Sequence, residues 1–351
     1  MSKLSERESR FSEPFRDDSV RCIICPRMCV IKPGQRGFCN TRENKGGRLI
    51  SLTYGLLSAI AVDPIEKKPL AHFYPGSLAY SISSVGCSFT CAWCQNWHLS
   101  QAKPGEIPVR YVSPEEVVKG AKREECTSIA YTYNEPLINL DYVEDVARLA
   151  RKEGVKNVLV TNGYISQEAL ERVVDVVDAA NVDWKAFSEP FYRKYCSADL
   201  KSVLDATVTM KRRGVHVEVT FLIIPEVHDW RNEAREMAKY LVENLGPDTP
   251  LHLSRFFPHY KFSHLPPTPV EHLIKAREIA MNEGVRYVYV GNVPYTDYEN
   301  TFCPRCGKAV IEREGYDIVD WHLDEENRCE YCGESIPIVG RRERHRRFHI
   351  F

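Results

Sequence analysis

Long apolar runs are missing from this 351-residue chain. No stretch of eighteen apolar residues occurs, so no membrane-spanning helix is expected. An excess of one charge is missing too, because 47 lysines and arginines face 48 aspartates and glutamates. This balance provides no general attraction to nucleic acid or to an anionic membrane. The first twenty residues are polar where a signal peptide carries an apolar segment, which predicts a cytoplasmic protein.

Apolar residues and cysteines are well represented. An apolar content of 43% and a charged content of 27% are ordinary for a globular protein and exclude global disorder. The length fits one barrel-sized domain with small additions. Eleven of the 13 cysteines fall into three close-spaced clusters, and only Cys126 and Cys196 stand alone. In a cytosolic chain such clusters indicate metal binding rather than disulfides.

From about Tyr80 to Gly291, short β-branched and aromatic runs alternate with amphipathic stretches. Strands are predicted at 80–86, 128–134, 157–162, 180–184, 216–223, 251–257 and 286–291. Helices are predicted at 113–124, 141–154, 166–178, 230–246 and 269–284. Repeated strand–helix units predict an α/β fold, namely a full or partial (β/α) TIM-type barrel with small Cys-rich metal-binding modules at both ends.

The same pattern suggests four regions. Residues 1–79 form a Cys-rich N-terminal module and barrel cap, residues 80–295 the barrel, residues 296–337 a zinc-ribbon-like module and residues 338–351 a basic tail. The segment 63–77 within the first region is predicted to cap the barrel mouth. A solvated turn is the alternative for its short charge run.

The motif with the clearest chemistry directly follows the first strand of the repeat. Cys87, Cys91 and Cys94 in GCSFTCAWCQNW have the spacing C-x3-C-x2-C, which supplies three thiolates and no nearby fourth. Three cysteines on a cubane iron–sulfur cluster leave one iron without a protein ligand. A zinc site with a remote fourth ligand, as in a zinc hydrolase, is the alternative. The position after a barrel's first strand favours an active site and therefore the cluster.

This motif, with Trp93 as the aromatic residue before its last cysteine, resembles the signature of radical S-adenosylmethionine (SAM) enzymes. The surrounding sequence resembles the pyruvate formate-lyase-activating-enzyme-like branch and, more closely, the AmmeMemoRadiSam-system radical SAM proteins. The resemblance runs from about Cys22 to Gly333. The segments that carry it are DPIEKKPLAHFYPGS (63–77), GCSFTCAWCQNWHLSQ (86–101), YTYNEP (131–136), TNGY (161–164), DWKAF (183–187) and GNVPYTDYENTFCPRCG (291–307).

The resemblance implies a specific activity. A [4Fe–4S] cluster on Cys87, Cys91 and Cys94 would bind SAM, and one electron from a donor such as ferredoxin or flavodoxin would cleave it to methionine and a 5′-deoxyadenosyl radical. That radical would abstract hydrogen from an unknown, possibly protein, substrate. The resemblance implies either the activation of a glycyl-radical enzyme or a modification that involves Memo-like and AMMECR-type protein partners.

Further site residues follow from their positions at predicted strand ends and from the resemblance. Asp183 and Lys185 resemble the aspartate-x-lysine motif of glycyl-radical activases and are predicted as catalytic, with a surface ion pair as the alternative. Where the family has glycine-glycine-glutamate, this chain has Tyr133, Asn134 and Glu135, so both small residues are missing, and a simple turn is the alternative. The residues predicted to bind the cofactor are Trp93, Asn134, Glu135, Thr161, Asn162 and Arg255.

The two remaining cysteine clusters differ in spacing. Cys303, Cys306, Cys329 and Cys332 form two C-x2-C pairs separated by 22 residues, which predicts a closed structural zinc site, with a rubredoxin-like iron as the alternative. The N-terminal cluster consists of Cys22, Cys25, Cys29 and Cys39. Its irregular spacing suits either zinc or an auxiliary iron–sulfur cluster, and the sequence leaves both open.

A non-enzymatic function is also conceivable from the sequence. The zinc-ribbon pattern and the arginine-rich tail would suit a nucleic-acid-binding protein. The tail arginines are Arg341, Arg342, Arg344, Arg346 and Arg347. The neutral net charge and the three-cysteine motif argue against this function, so nucleic acid is not expected as a partner.

Overall fold

One eight-stranded sheet organises the chain. The computed structural model describes residues 6–293 and 296–343. Seven strands of the sheet are parallel and adjacent in chain order, and one antiparallel strand lies at an edge. Among the described residues the two edge strands do not pair with each other, so the barrel is not closed. The prediction of an α/β fold with a partial barrel is therefore confirmed.

Seven short strands come first in the chain. Six of them form two three-stranded antiparallel sheets, one around the buried Leu49 and the other around Val20 and Ile31. These strands are β1 (Arg7–Glu8), β2 (Ser12–Pro14), β3 (Val20–Cys22), β4 (Val30–Ile31), β5 (Arg42–Lys45), β6 (Arg48–Ser51) and β7 (Leu56–Leu57).

The strands of the barrel follow. The antiparallel edge strand comes first, and the parallel strands run from β9 (Leu78–Ser83) to β16 (Val288–Gly291). Strand β10 (Arg110–Tyr111) lies outside the sheet and pairs with β7. These strands are β8 (Ala59–Pro64), β9 (Leu78–Ser83), β10 (Arg110–Tyr111), β11 (Ser128–Tyr131), β12 (Lys156–Thr161), β13 (Ala179–Trp184), β14 (His216–Ile223), β15 (Leu251–Arg255) and β16 (Val288–Gly291).

Helices connect the parallel strands. They are α1 (Trp97–Ser100), α2 (Pro114–Arg123), α3 (Leu140–Lys152), α4 (Gln167–Val173), α5 (Glu189–Phe191), α6 (Leu200–Arg212), α7 (Trp230–Leu245) and α8 (Val270–Asn282). Single helical turns lie at Ile65–Lys67, Pro136–Asn139, Val174–Val176, Tyr192–Cys196, Tyr260–Phe262 and Asp297–Glu299. None of the helices in the described part of the chain is long and apolar enough to cross a bilayer.

Local sequence explains most of these bounds. Helix α2 begins with a capping box, in which Ser113 accepts from the Glu116 backbone N–H and the Glu116 carboxylate accepts from the Ser113 N–H. Helix α6 was not predicted from the sequence. Its β-branched residues lower helix propensity, but the Asp199 cap and a buried face that includes Val203 and Thr207 stabilise it.

The floor of the barrel is filled by the chain itself. Four strands carry small or medium-sized residues here, namely Ala79, Ala130, Val158 and Ala179. Ile65, Leu70 and Phe73 pack against them. The fully buried Glu218 on β14 accepts hydrogen bonds from the backbone N–H groups of Ala71 and His72, at 2.9 and 2.7 Å. The segment predicted as a cap thus runs from the cavity wall, at Lys67 and Lys68, down into the barrel floor.

A small C-terminal module packs on the open side of the barrel. Its antiparallel strands are β17 (Thr301–Phe302), β18 (Ala309–Glu314) and β19 (Asp317–Trp321). The buried Val310 and Ile311 contact Tyr287 and Tyr289 at the end of the barrel sheet. The Tyr289 hydroxyl lies 2.7 Å from Nε2 of His72 and 2.8 Å from the Thr301 hydroxyl. The module and the barrel floor therefore share one polar network.

Candidate active site

The three-cysteine loop leads from β9 into a cavity at the carboxyl ends of the parallel strands. Cys87, Cys91 and Cys94 all line this cavity, whose volume of about 300 Å³ is within the range of small-molecule sites. The other residues predicted for the site also line it, namely Trp93, Asn134, Glu135, Thr161, Asn162, Asp183, Lys185 and Arg255. Parallel strands end at the same edge of a sheet, and that edge is where barrel enzymes place their active sites.

Hydrogen-bond donors and apolar surroundings lie around the three thiols. The Phe89 backbone N–H donates to Cys87 Sγ at 3.3 Å, and the Ser100 hydroxyl lies 3.2 Å from Cys94 Sγ. Burial raises the pKa of Cys87 and of Cys94, and a contact with Cys196 together with burial raises the pKa of Cys91. Metal binding would have to remove the protons of these thiols. Three cysteines on one cavity form a donor set that fits an iron–sulfur cluster with one open iron.

Asn134 and Glu135 hold the loop and the strand ends in place. The Asn134 side chain accepts from the Ser84 N–H and donates to the Gly86 carbonyl, both at 3.0 Å, which fixes the start of the cysteine loop. Glu135 accepts from the Thr161 hydroxyl at 2.7 Å and from the Asn162 N–H at 2.8 Å. Burial raises the pKa of Glu135 to about 7, so its proton is easily gained or lost near neutrality.

Asp183 and Lys185 form an ion pair inside the cavity. Nζ of Lys185 lies 2.8 Å from Oδ2 of Asp183, and both side chains are partly buried. Burial would lower the pKa of Lys185, but the Asp183 carboxylate and the nearby Cys91 raise it above its ordinary value. A charged pair placed beside the thiols can orient the charged groups of a bound ligand.

Trp93 and Arg255 form parts of the cavity wall. The buried Trp93 ring lies between Phe191 and Phe262, with ring centroids 5.3 and 5.9 Å away. Nε of Arg255 donates to the Thr268 carbonyl at 2.8 Å, which anchors the guanidinium at the end of β15. Trp93 thus keeps water from one side of the cavity, and Arg255 provides a fixed cation on another.

Two lysines line the cavity that were not predicted as site residues. Lys68, which is only 1% exposed, bonds Oδ2 of Asp63 at 2.7 Å, and Lys67 bonds the other oxygen at the same distance. The Tyr133 hydroxyl also donates to Asp63, and the Lys68 ammonium lies 4.6 Å from the Tyr133 ring centroid. In the sequence, the Lys67–Lys68 pair before β9 was the feature that could have indicated this role. A short charge run of this kind is more often a solvated turn.

The C-terminal four cysteines converge on one point. The Sγ atoms of Cys303 and Cys332 are 3.5 Å apart, and those of Cys306 and Cys329 are 3.8 Å apart. A zinc–sulfur bond of about 2.3 Å gives a tetrahedron with edges of about 3.8 Å. All four Sγ atoms lie within 4.8 Å of one another, so the four fit a single tetrahedral ion.

The N-terminal four cysteines surround a second, smaller cavity. Cys22, Cys25, Cys29 and Cys39 line it together with Ile24, Ile31, Phe38 and Ile138. Burial raises the pKa of Cys22 to about 11. This cavity lies on the far side of the three-cysteine loop, because Ser88 lines it whereas the preceding residue, Cys87, faces the larger cavity.

Comparison with known proteins identifies the family. A family model described as the radical SAM superfamily matches residues 81–240. This match spans the three-cysteine loop and the strands β11 to β14, whose ends border the cavity. The chain contains a radical SAM domain over residues 81–240.

The chain is also similar to individual proteins. An uncharacterized protein of Methanocaldococcus jannaschii is 47% identical over 334 residues, which cover 95% of this chain and 99% of the relative. The pyruvate formate-lyase 1-activating enzyme of Escherichia coli K12 is 20% identical over 161 residues, which cover 44% of this chain and 65% of the enzyme. A solved structure, Streptococcus suis SuiB bound to S-adenosylmethionine, covers 64% of this chain and 50% of its own at 10% identity, with a TM-score of 0.48.

One part of the sequence analysis cannot be placed. The basic tail continues beyond the described residues, and Arg344, Arg346 and Arg347 lie outside them. The described Arg341 and Arg342 follow the C-terminal module.

Proposed function

We propose that this protein is a radical SAM enzyme that cleaves SAM reductively and uses the resulting 5′-deoxyadenosyl radical to abstract hydrogen from a substrate. One observation carries the proposal: Cys87, Cys91 and Cys94 face a single cavity that they share with the Asp183–Lys185 pair. A [4Fe–4S] cluster bound by the three thiolates supplies an open iron and one electron. A donor such as ferredoxin or flavodoxin provides that electron.

The residues of the chain bind SAM and exclude water. Asn162 is close to the cluster site, since its amide nitrogen lies 3.8 Å from Cys87 Sγ, and Thr161 is its neighbour at the same strand end. SAM carries an ammonium and a carboxylate, and the cavity offers Glu135 and Asp183 to the first and Lys185 and Arg255 to the second. Trp93 shields the reactive centre from solvent.

A protein substrate is the more specific form of this proposal. The relative from Escherichia coli is, by its name, an activating enzyme for pyruvate formate-lyase, which supports a glycyl-radical activase as a second candidate. The sequence resemblance instead suggests Memo-like and AMMECR-type partners. In either case the substrate has to approach the strand-end cavity, where Lys67 and Lys68 form part of the wall.

Formation of 5′-deoxyadenosine tests the proposal. Anaerobically reconstituted wild type and Cys94→Ala are incubated with SAM and dithionite, and Cys126→Ala serves as control because that buried cysteine lies outside the cavity. We expect product from wild type and from the control but not from Cys94→Ala. A wild-type protein that holds its full iron and sulfide and forms no 5′-deoxyadenosine, with or without the partner proteins named above, would show that the proposal is wrong.

A further inference from the structure

The N-terminal cysteines are arranged differently from the C-terminal cysteines. The C-terminal Sγ atoms lie within 4.8 Å of one another, whereas among the described residues no three of Cys22, Cys25, Cys29 and Cys39 meet that limit. Four ligands of one zinc ion must approach to tetrahedral contact distances. In a cubane cluster each cysteine binds its own iron, so the sulfurs stand farther apart. The wider arrangement thus favours a cluster over a single ion.

A buried cation provides a second, independent observation. The Arg42 side chain is 1% exposed and lines the same cavity as the four cysteines. One of its nitrogens bonds the Ile138 carbonyl at 2.9 Å and another pairs with Asp141 at 3.0 Å. Its Nε has no hydrogen-bond partner in the described structure. A buried donor without a partner is costly, and an anionic group in the cavity would relieve that cost.

The remaining walls of this cavity are apolar. Ile24, Ile31, Phe38 and Ile138 line it, and its polar groups are few. A cluster held by four thiolates has no open iron for a substrate. Such a site can exchange electrons but cannot bind SAM through its metal. Its chemistry is therefore that of an electron carrier.

One loop borders both cysteine sites, since Cys87 lines the larger cavity and Ser88 lines the smaller one. The Arg27 guanidinium donates to the Ser88 carbonyl at 3.0 Å, which fastens the N-terminal module to the residue after Cys87. On the other side of Cys87, a side chain at Gly86 would lie 3.0 Å from the Cys39 carbonyl oxygen and 2.7 Å from the Thr41 methyl carbon. Gly86 also has a φ of +87°, which favours glycine. The close approach of Cys39 to this loop therefore depends on glycine.

We propose that Cys22, Cys25, Cys29 and Cys39 bind an auxiliary [4Fe–4S] cluster that delivers electrons to the three-cysteine site. A one-electron donor of the ferredoxin or flavodoxin class is oxidised by one electron, and the auxiliary cluster is reduced by one. It returns to its oxidised state when the electron passes across the Gly86–Ser88 loop. The relay rests on the proposed function, but the metal assignment does not.

Metal analysis tests the assignment without any activity. The triple variant Cys87→Ala/Cys91→Ala/Cys94→Ala is reconstituted anaerobically, and its iron, sulfide and zinc are measured with its Mössbauer spectrum. We expect about four irons and four sulfides to remain in this variant and to disappear when Cys25→Ala and Cys29→Ala are added. Wild type should hold about eight irons. If wild type holds about four irons and the triple variant holds zinc but no iron at these cysteines, the assignment is wrong while the proposed function stands.

The relay is tested with two reductants. Cys25→Ala/Cys29→Ala keeps the three ligands of the SAM-cleaving site, so its rate of 5′-deoxyadenosine formation with dithionite, a small reductant, is the reference for its rate with protein donors. With reduced flavodoxin or ferredoxin the rate should fall about tenfold or more, because the electron lacks its carrier. Cys126→Ala, a buried cysteine outside both cysteine cavities, is the matched control and should keep both rates. Equal rates of the double variant and wild type with the protein donors would overturn the relay.

Discussion

The Sγ atom of Cys196 lies 3.9 Å from that of Cys91, although the two residues are 105 positions apart. Cys196 is fully buried, and its backbone carbonyl accepts from the Thr90 N–H at 3.1 Å. The Thr90 hydroxyl also lies 2.6 Å from that of Ser197. The helical turn Tyr192–Cys196, which follows β13 and α5, therefore places a free thiol beside a proposed cluster ligand.

A Cys196→Ala substitution tests the effect of that thiol on the cluster. In this structure the Cys91 thiol donates to Cys196 Sγ, but a Cys91 thiolate that binds a cluster can only accept, so the Cys196 S–H becomes the donor. A donor to a ligand sulfur stabilises the more negative, reduced state, so its loss should lower the reduction potential of the cluster. We expect the iron content to stay the same and the midpoint in an EPR-monitored redox titration to move to a more negative value. Cys126→Ala is the matched control. A midpoint unchanged in Cys196→Ala would mean that the contact has no electronic role.

Asp183→Asn tests the ion pair in the cavity. The asparagine keeps the shape of the side chain but removes the charge that pairs with Lys185. Because misplaced charges disturb the bound SAM, we expect 5′-deoxyadenosine formation to fall about 10- to 100-fold with unchanged iron content. Asp175→Asn, on the surface beside Arg213, should keep wild-type activity. Wild-type activity of Asp183→Asn would exclude a catalytic or orienting role for Asp183.

Glu218→Gln tests the barrel floor. Burial would raise the pKa of Glu218, but hydrogen bonds from His216 and His252 hold it well below its ordinary value of 4.5. The glutamine cannot accept all these bonds, so we expect the free energy of unfolding to fall by about 1–3 kcal/mol. Since the folded-state pKa is lowered, the stability advantage of wild type should be full above about pH 4.5 and should shrink as the pH falls below it.

Urea titrations at several pH values provide this measurement. Glu168→Gln, at an exposed position on α4, is the matched control and should leave the unfolding midpoint nearly unchanged. If the difference in unfolding midpoint between wild type and Glu218→Gln grows toward acidic pH, Glu218 is not stabilised as a carboxylate.

Glu135→Gln should show the opposite pH dependence. Burial raises the pKa of Glu135 from 4.5 to about 7, so the folded state binds more protons than the unfolded state between these values. Stability relative to the variant should therefore fall as the pH rises from about 5 to about 7. Urea midpoints at pH 5, 6, 7 and 8 measure this, with the exposed Glu271→Gln as control. A pH-independent difference would show that Glu135 titrates outside this window.

Cys306→Ala tests the metal in the C-terminal module. Loss of one tetrahedral ligand should reduce bound zinc from about one ion per chain to almost none. Hydrogen exchange at Val310 and Ile311 should become faster, since these buried residues depend on the module's fold. A second acidic and histidine group lies nearby, formed by Glu312, Asp320 and His322. His322→Ala should keep the zinc. If this variant loses the zinc, the ion is bound at the second group and not at the four cysteines.

Local sequence signals were enough to predict most of the alternating part of the fold, with helix α6 as an exception. The strand predicted at 216–223 has those bounds in the structure, and the turns that carry Glu135 and Asn162 lie at strand ends as expected. Such signals depend on residues that are neighbours in sequence. The residues predicted for the site face one cavity because parallel strands end at one edge.

Contacts between distant segments could not be predicted in this way. Nothing in the local sequence shows that Glu218 binds the backbone of Ala71 and His72, 147 and 146 residues away. The proximity of Cys196 to Cys91 is of the same kind, since an isolated cysteine has no spacing pattern. The distances between thiols distinguish a site for one ion from a site for a cluster, and these distances are likewise set only in the folded chain.

The hydrogen bond between His72 and Tyr289 also has a consequence for biosynthesis. The two residues are 217 positions apart, and the floor of the barrel needs both. At a synthesis rate of 5–20 residues per second, Tyr289 is added to the chain on the order of 10 to 40 s after His72. During that interval Glu218, which is made earlier than Tyr289, can already bind the backbone at His72. The floor can therefore begin to close on the ribosome, and the last strand completes it.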